Sequence, residues 1–120
     1  MGTSPGHTLV FVYGTLKRGH PNHDVLARAE ARFLLGWATA PEYEMIDLGA
    51  FPAAREGGET AIHGEIYAVG DLALIDRLEG YPELYDRKRI ETPCGAAWLY
   101  IKNDAVGERV PSGDWNENVR

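Results

Sequence analysis

An apolar, β-branched and aromatic run, Leu9-Val10-Phe11-Val12-Tyr13, stops abruptly at Gly14, and nothing else in this sequence constrains the fold as tightly. Such a run reads as a buried strand. The residues after it, Thr15-Leu16-Lys17-Arg18-Gly19-His20-Pro21, are mostly polar and glycine-punctuated, and Asn22 follows as a candidate N-cap. A strand ending this way delivers main-chain amides to an open loop. Gly14 lacks a Cβ, so another group can approach its backbone closely. Successive N–H groups in such a loop form concave nests for anions and developing oxyanions. The segment therefore predicts a site for something small and polar, with a plain turn into a helix as the alternative. Gly14 and Gly19 also have the spacing of a phosphate-binding loop. That loop continues with Lys-Ser or Lys-Thr, whereas His20-Pro21 stand here, leaving no lysine for phosphates and no hydroxyl for magnesium. Nucleotide binding by that route is excluded.

Composition narrows the classes further. A chain of 120 residues supports one domain with its own core. Its formal net charge of −6 repels phosphate backbones, so no nucleic-acid partner is expected. The single cysteine, Cys94, has no partner for an intramolecular disulfide and suits a reducing, cytoplasmic setting. No apolar run has the length of a membrane span. Residues Met1 to His7 carry neither the basic nor the apolar region of a signal peptide. They, and the stretch from about 106 to 120, read as flexible or irregular tails. With no apolar stripe left over, a monomer is expected.

Between the tails the pattern predicts many short strands and two short helices. Val25, Leu26, Ala29 and Phe33 recur at helical spacing, so a helix is expected from Asn22 to about Arg32. Phe33–Ala40 and Tyr43–Leu48 read as strands. Phe51–Arg55 contains Pro52 and belongs at a sheet edge or bulge. Ile62–Val69 alternates as a strand should. Asp71 is placed to cap a second helix, Leu72–Glu79, ended by Gly80-Tyr81-Pro82. Tyr85–Glu91 and Ala97–Lys102 flank Pro93-Cys94-Gly95 as a hairpin. The expectation is an α+β fold, a small closed or partly closed mixed β-barrel with two flanking helices, since closure removes exposed strand edges.

On a helical wheel Leu74, Ile75 and Leu78 define the apolar sector of the second helix, and Glu79 falls at its margin. Burial and the negative end of the helix dipole both oppose ionisation there, which suits a carboxylate to proton transfer near neutral pH. A solvated helix end is the competing reading. Asp76 and Glu83 read as surface charges. His20 and His23, with His63 or Asp24, do not amount to a convincing ligand set, so no metal is expected. Asn22 and His23 are instead expected to cap the first helix and brace the loop. Cys94, in a turn and paired with no histidine motif, is a poor nucleophile candidate. Tyr81 and Tyr85 flank Pro82 just beyond Glu79, which makes Tyr85 a candidate supporting residue, with ordinary packing of both rings as the alternative. Trp37 and Trp98 read as core.

Taken together, Tyr13-Gly14-Thr15-Leu16, the continuation to His23, and Leu78-Glu79-Gly80-Tyr81-Pro82-Glu83-Leu84-Tyr85-Asp86-Arg87 resemble the γ-glutamylcyclotransferase-like superfamily. The Lys17-to-His23 run is most similar to its γ-glutamylaminecyclotransferase branch. The resemblance implies a small β-barrel, no cofactor, and conversion of a γ-glutamyl amine to 5-oxoproline and free amine. It assigns Tyr13, Gly14, Thr15 and Leu16 to substrate binding and Glu79 to proton transfer. Leu78-Glu79-Gly80-Tyr81-Pro82 is nearer the broad family pattern than the vertebrate branch, so the leaving amine stays open. Two alternatives remain: a non-catalytic small-ligand binding domain of the same fold, and a γ-glutamyl hydrolase in which water replaces the α-amine.

Overall fold

The computed structural model describes residues 8–115. Along the chain run β1 (Thr8–Val12), α1 (Asp24–Arg28), β2 (Arg32–Ala38), β3 (Tyr43–Asp47), β4 (Pro52–Glu56) and β5 (His63–Val69), followed by α2 (Leu72–Glu79), β6 (Asp86–Thr92), β7 (Gly95–Ile101) and β8 (Glu108–Arg109). Five strands form one sheet in the order β2-β5-β1-β7-β6, and three form another in the order β4-β3-β8. β1 pairs antiparallel with β5 and parallel with β7, which makes the larger sheet mixed.

β1 is central, and its alternation divides the core. Val10 and Val12 join one buried cluster with α1, α2 and Tyr67, while Phe11 and Tyr13 join another with Met45, Ile62 and Leu99. A strand buried on both faces needs apolar residues at every position, which explains the unbroken opening run. β3 and β4 divide in the same way: Ile46 and Ala53 enter the first cluster, Met45 and Ala54 the second. The smaller sheet thus extends the larger one around the core rather than covering one face. Near that junction the Lys102 N–H donates to the Ala54 carbonyl at 2.9 Å.

The two sheets are not joined into a closed barrel, so the partly closed form is the one adopted. Edges therefore survive and are blunted locally. β2 is irregular between Phe33 and Leu35, with the Arg18 guanidinium 3.9 Å from the Phe33 ring centroid, and β6 carries Arg87, Lys88, Arg89 and Glu91. Pro52 opens the edge strand β4, as a residue without an N–H should.

Three expectations are corrected. α1 is shorter than Asn22–Arg32: Ala31 N–H donates to Leu26 O and Glu30 N–H to Ala27 O, with Glu30 at φ 58°, so the chain leaves the helix in a left-handed turn. Asn22 does not cap it; the cap position is His23, with no side-chain capping bond. The stretch from 106 is also not a loose tail as far as residue 115. It contributes β8, buries Val110 and Trp115, and pairs Asp114 with the buried Lys17 at 3.4 Å. Residues 1–7 and 116–120, read as flexible ends, lie outside the described residues. None of the described helices is long and apolar enough to cross a membrane.

Candidate active site

α2 brings Glu79 to the site. The Asp71 side chain accepts from the Leu74 N–H at 3.3 Å, the cap expected of it. At the other end Gly80 adopts φ 71°, and the Gly80 and Tyr81 N–H groups bond to the carbonyls of Arg77 and Asp76. A Cβ on Gly80 would lie 2.9 Å from the Leu84 Cβ, so this glycine also lets Leu84 fold back toward the helix end. Ile75 is the fully buried residue of the helix; Leu78, expected in the core, is 40 % exposed.

One cavity of about 180 Å³ is lined both by Glu79 and by Tyr13, Gly14, Thr15 and Leu16. Asn22 and Tyr85 line it as well. Among the described residues, no acceptor pairs with the main-chain N–H groups of Gly14, Thr15 or Leu16. The loop is held from behind. Asn22 donates through its N–H to Thr15 O at 2.9 Å and through Nδ2 to Thr15 Oγ1 at 3.0 Å. His23 Nδ1 lies 2.9 Å from Leu16 O. Because a carbonyl only accepts, that nitrogen carries the ring proton. The Arg18 N–H donates to Glu65 at 3.1 Å.

Gly14 sits against the smaller sheet: a Cβ there would stand 2.9 Å from both Pro52 Cγ and Cδ. Gly14→Ala is expected to cost about 1–2 kcal/mol as the loop and β4 part. Urea denaturation reads this directly, and a wild-type midpoint would show that the loop yields without strain.

The Glu79 carboxylate is partly buried and has no hydrogen-bond or ion-pair partner among the described residues. Burial, and then the negative charge of Asp76, push its pKa up to about 7. Burial is the cause expected from the wheel; Asp76 is an addition. Asp76 is not the plain surface charge its sequence position indicated. Arg87 Nη1 lies 2.6 Å from both Asp76 oxygens, and the Tyr100 hydroxyl donates to Oδ1 at 2.5 Å.

Three tyrosines enclose Glu79, and each has its hydroxyl proton committed. Tyr13 donates to Tyr100 O at 2.8 Å and accepts from the Ala54 N–H at 2.9 Å. Tyr85 donates to Pro52 O at 2.7 Å, and Tyr100 donates to Asp76. Burial foremost holds all three above the ordinary phenol range, helped at Tyr13 and Tyr85 by the Glu79 charge. At neutral pH they are neutral walls. Glu79 is the group in the cavity poised to exchange a proton.

Other sequence candidates fall elsewhere. Tyr81 lies under Arg87, 4.2 Å from the guanidinium, and does not line the cavity. Cys94 sits in the β6–β7 turn, its N–H donating to Thr92 Oγ1. Among the described residues no three His, Cys, Asp or Glu side chains gather in a metal-binding group. Trp37 and Trp98 are partly buried and pack against the core. Missed were Phe51, Pro52, Leu84 and Tyr100, all of which line the cavity. The apolar Phe51-Pro52 pair directly after a glycine turn was a usable signal; Tyr100 left none within its strand.

Comparison with known proteins identifies the family and the fold. The family model described as Gamma-glutamyl cyclotransferase, AIG2-like, matches residues 10–117. A Vibrio cholerae relative, provisionally named a gamma-glutamylcyclotransferase, is 46 % identical over 116 residues, covering 92 % of this chain and 97 % of its own. The gamma-glutamylcyclotransferase family protein YtfP of Escherichia coli is 36 % identical over 110 residues, covering 88 % and 94 %. The crystal structure of an AIG2-like protein from Mus musculus superposes with a TM-score of 0.73 at 27 % identity, covering 83 % of this chain and 80 % of that one. With its open loop after β1 and its matching residues spread over nearly the whole fold, the chain belongs to the AIG2-like gamma-glutamyl cyclotransferase family.

Proposed function

We propose that this protein cyclises a γ-glutamyl amine, forming 5-oxoproline and releasing the amine, with Glu79 as the general acid and base. The observation that carries this reading is a carboxylate with its pKa near 7 in the same small cavity as an open run of main-chain amides. Family membership supports the reaction class.

The reaction is intramolecular. The substrate's α-amine attacks its own γ-carbonyl, so the protein need only hold a folded, ring-closing conformer. Glu79, ionised, takes a proton from the α-ammonium and leaves a nucleophilic nitrogen. The new C–N bond closes the ring and puts negative charge on the carbonyl oxygen. Amides of Gly14 to Leu16 are suited to that oxyanion, or to the α-carboxylate. Glu79 then returns the proton to the departing nitrogen, which otherwise leaves very poorly. As the oxyanion re-forms the carbonyl and the C–N bond to that nitrogen breaks, Glu79 takes the second proton from the new ring nitrogen and passes it to the released amine. Both protons shed by the α-nitrogen thus end on the amine, and Glu79 is left ionised. A pKa near 7 serves both halves of this cycle, because the group must gain and lose a proton at one pH.

The test is product analysis of the full chain with γ-glutamyl amines. Stoichiometric 5-oxoproline and free amine are expected. Free glutamate would instead mark a hydrolase, and unchanged substrate that nevertheless binds would mark a binding domain.

A further inference from the structure

We infer that the amine released from this site carries an uncharged, apolar substituent, rather than an amino acid's carboxylate and ammonium. This rests on the cyclotransferase reading and concerns the mouth of the same cavity.

Six large apolar side chains are markedly exposed among the described residues, and three of them line this one cavity: Phe51 at 37 %, Leu78 at 40 % and Leu84 at 48 %. Scattered exposed apolar residues need no explanation, whereas a cluster around a site does. The three come from separate segments: the turn before β4, the last turn of α2, and the turn leading to β6. Two of them have a defined seat. The Phe51 ring lies 6.4 Å from that of Tyr85, and Gly80 leaves room for Leu84.

Charge gives the second half of the argument. The lining contains no lysine, arginine or histidine, and Glu79 is its one carboxylate. Glu79 is committed to the substrate's α-ammonium, and the loop amides are the donors available for an anion. A leaving group with its own carboxylate therefore meets no counter-charge in the lining and loses hydration against an apolar rim. Lys102, whose Nζ reaches the Leu84 carbonyl at 3.3 Å, is already paired with Asp104 at 3.1 Å. An alkyl or aryl amine instead covers Phe51, Leu78 and Leu84 with its own chain. At about 180 Å³ the cavity is well below the roughly 300 Å³ of drug-sized pockets, so the substituent reaches the mouth rather than the interior.

The experiment compares kcat/KM of the full chain for γ-glutamyl methyl-, butyl-, hexyl- and benzylamides with γ-glutamylalanine and Nε-(γ-glutamyl)lysine, following 5-oxoproline. Efficiency is expected to rise roughly two- to fourfold per methylene through the butylamide. The best apolar amide should exceed both amino-acid conjugates by about 10²-fold. Phe51→Ser and Leu84→Ser, made at exposed positions and checked for folding by thermal melts, should each lower the hexyl-to-methyl ratio about fivefold or more. Efficient release from the amino-acid conjugates, a flat alkyl series, or a ratio unmoved in both variants overturns the inference while 5-oxoproline formation still stands. If none of the amides yields 5-oxoproline, the cyclotransferase reading itself falls, and this inference with it.

Discussion

Glu79→Gln is expected to lower turnover of a γ-glutamyl amine by about 10² to 10⁴-fold, with the fold intact. Glutamine keeps the shape and can hydrogen-bond, but it cannot accept a proton at neutral pH. Affinity for 5-oxoproline should change little, since the loop amides are the donors for an anionic product. The pH dependence sharpens the test. In the wild type, kcat/KM should rise with pH through an acid limb near 7, as Glu79 ionises from its raised pKa of about 7. Stability should run the other way. The folded pKa lies above the ordinary 4.5, so the native state holds the extra proton between those values. The contribution is fully present below about pH 4.5 and is lost as pH rises through 7, by up to about 3 kcal/mol. Glu79→Gln removes that slope, so above pH 7 the variant should melt higher than the wild type. A variant that turns over normally would show that another group moves the proton; one that unfolds would make Glu79 structural.

Arg87→Ala carries the second large effect, on stability. The guanidinium bonds both oxygens of Asp76 at 2.6 Å and packs between the rings of Tyr81 at 4.2 Å and Trp98 at 4.4 Å. Removing it strands a half-buried Asp76 carboxylate whose remaining partner is Tyr100. The cost is expected at about 2–4 kcal/mol, slightly below that of a fully buried pair because both side chains retain some solvent contact. With its counter-charge gone, Asp76 should also oppose ionisation of Glu79 more strongly and move the acid limb of the pH profile upward. Arg87→Lys keeps the charge but not the fork or the stacking, so part of the stability should return. Urea denaturation of the three proteins measures this, and a loss within about 0.5 kcal/mol for Arg87→Ala would reduce the pair to an ordinary surface contact.

Much of the fold was legible because its determinants are local. The β1 run announced a buried strand, and the structure buries it on both faces. α2 was readable to its last residue, since Asp71 and Gly80 punctuate it and both perform the roles expected of them. The β6–β7 hairpin followed from two strand-like runs around Pro93-Cys94-Gly95. α1 was overread because its apolar spacing continues past the point where Glu30 turns left-handed, and no glycine marks that turn. The last segment was underread because Val110 and Trp115 are buried by partners distant in the chain, with no period of their own.

The sequence by itself determined the two halves of the candidate site, an open glycine loop after a buried strand and a glutamate at a capped helix end, because strands, caps and turns depend on neighbouring residues. Only the tertiary structure decided that both halves line one cavity and that Tyr13, Tyr85 and Tyr100 wall it. It also decided that Asp76, held by Arg87, adds its charge to the burial of Glu79, and that Phe51, Leu78 and Leu84 leave the mouth apolar. Those features are sums of burial and charge over segments far apart in the chain, and they come into being when the two sheets and α2 close on each other.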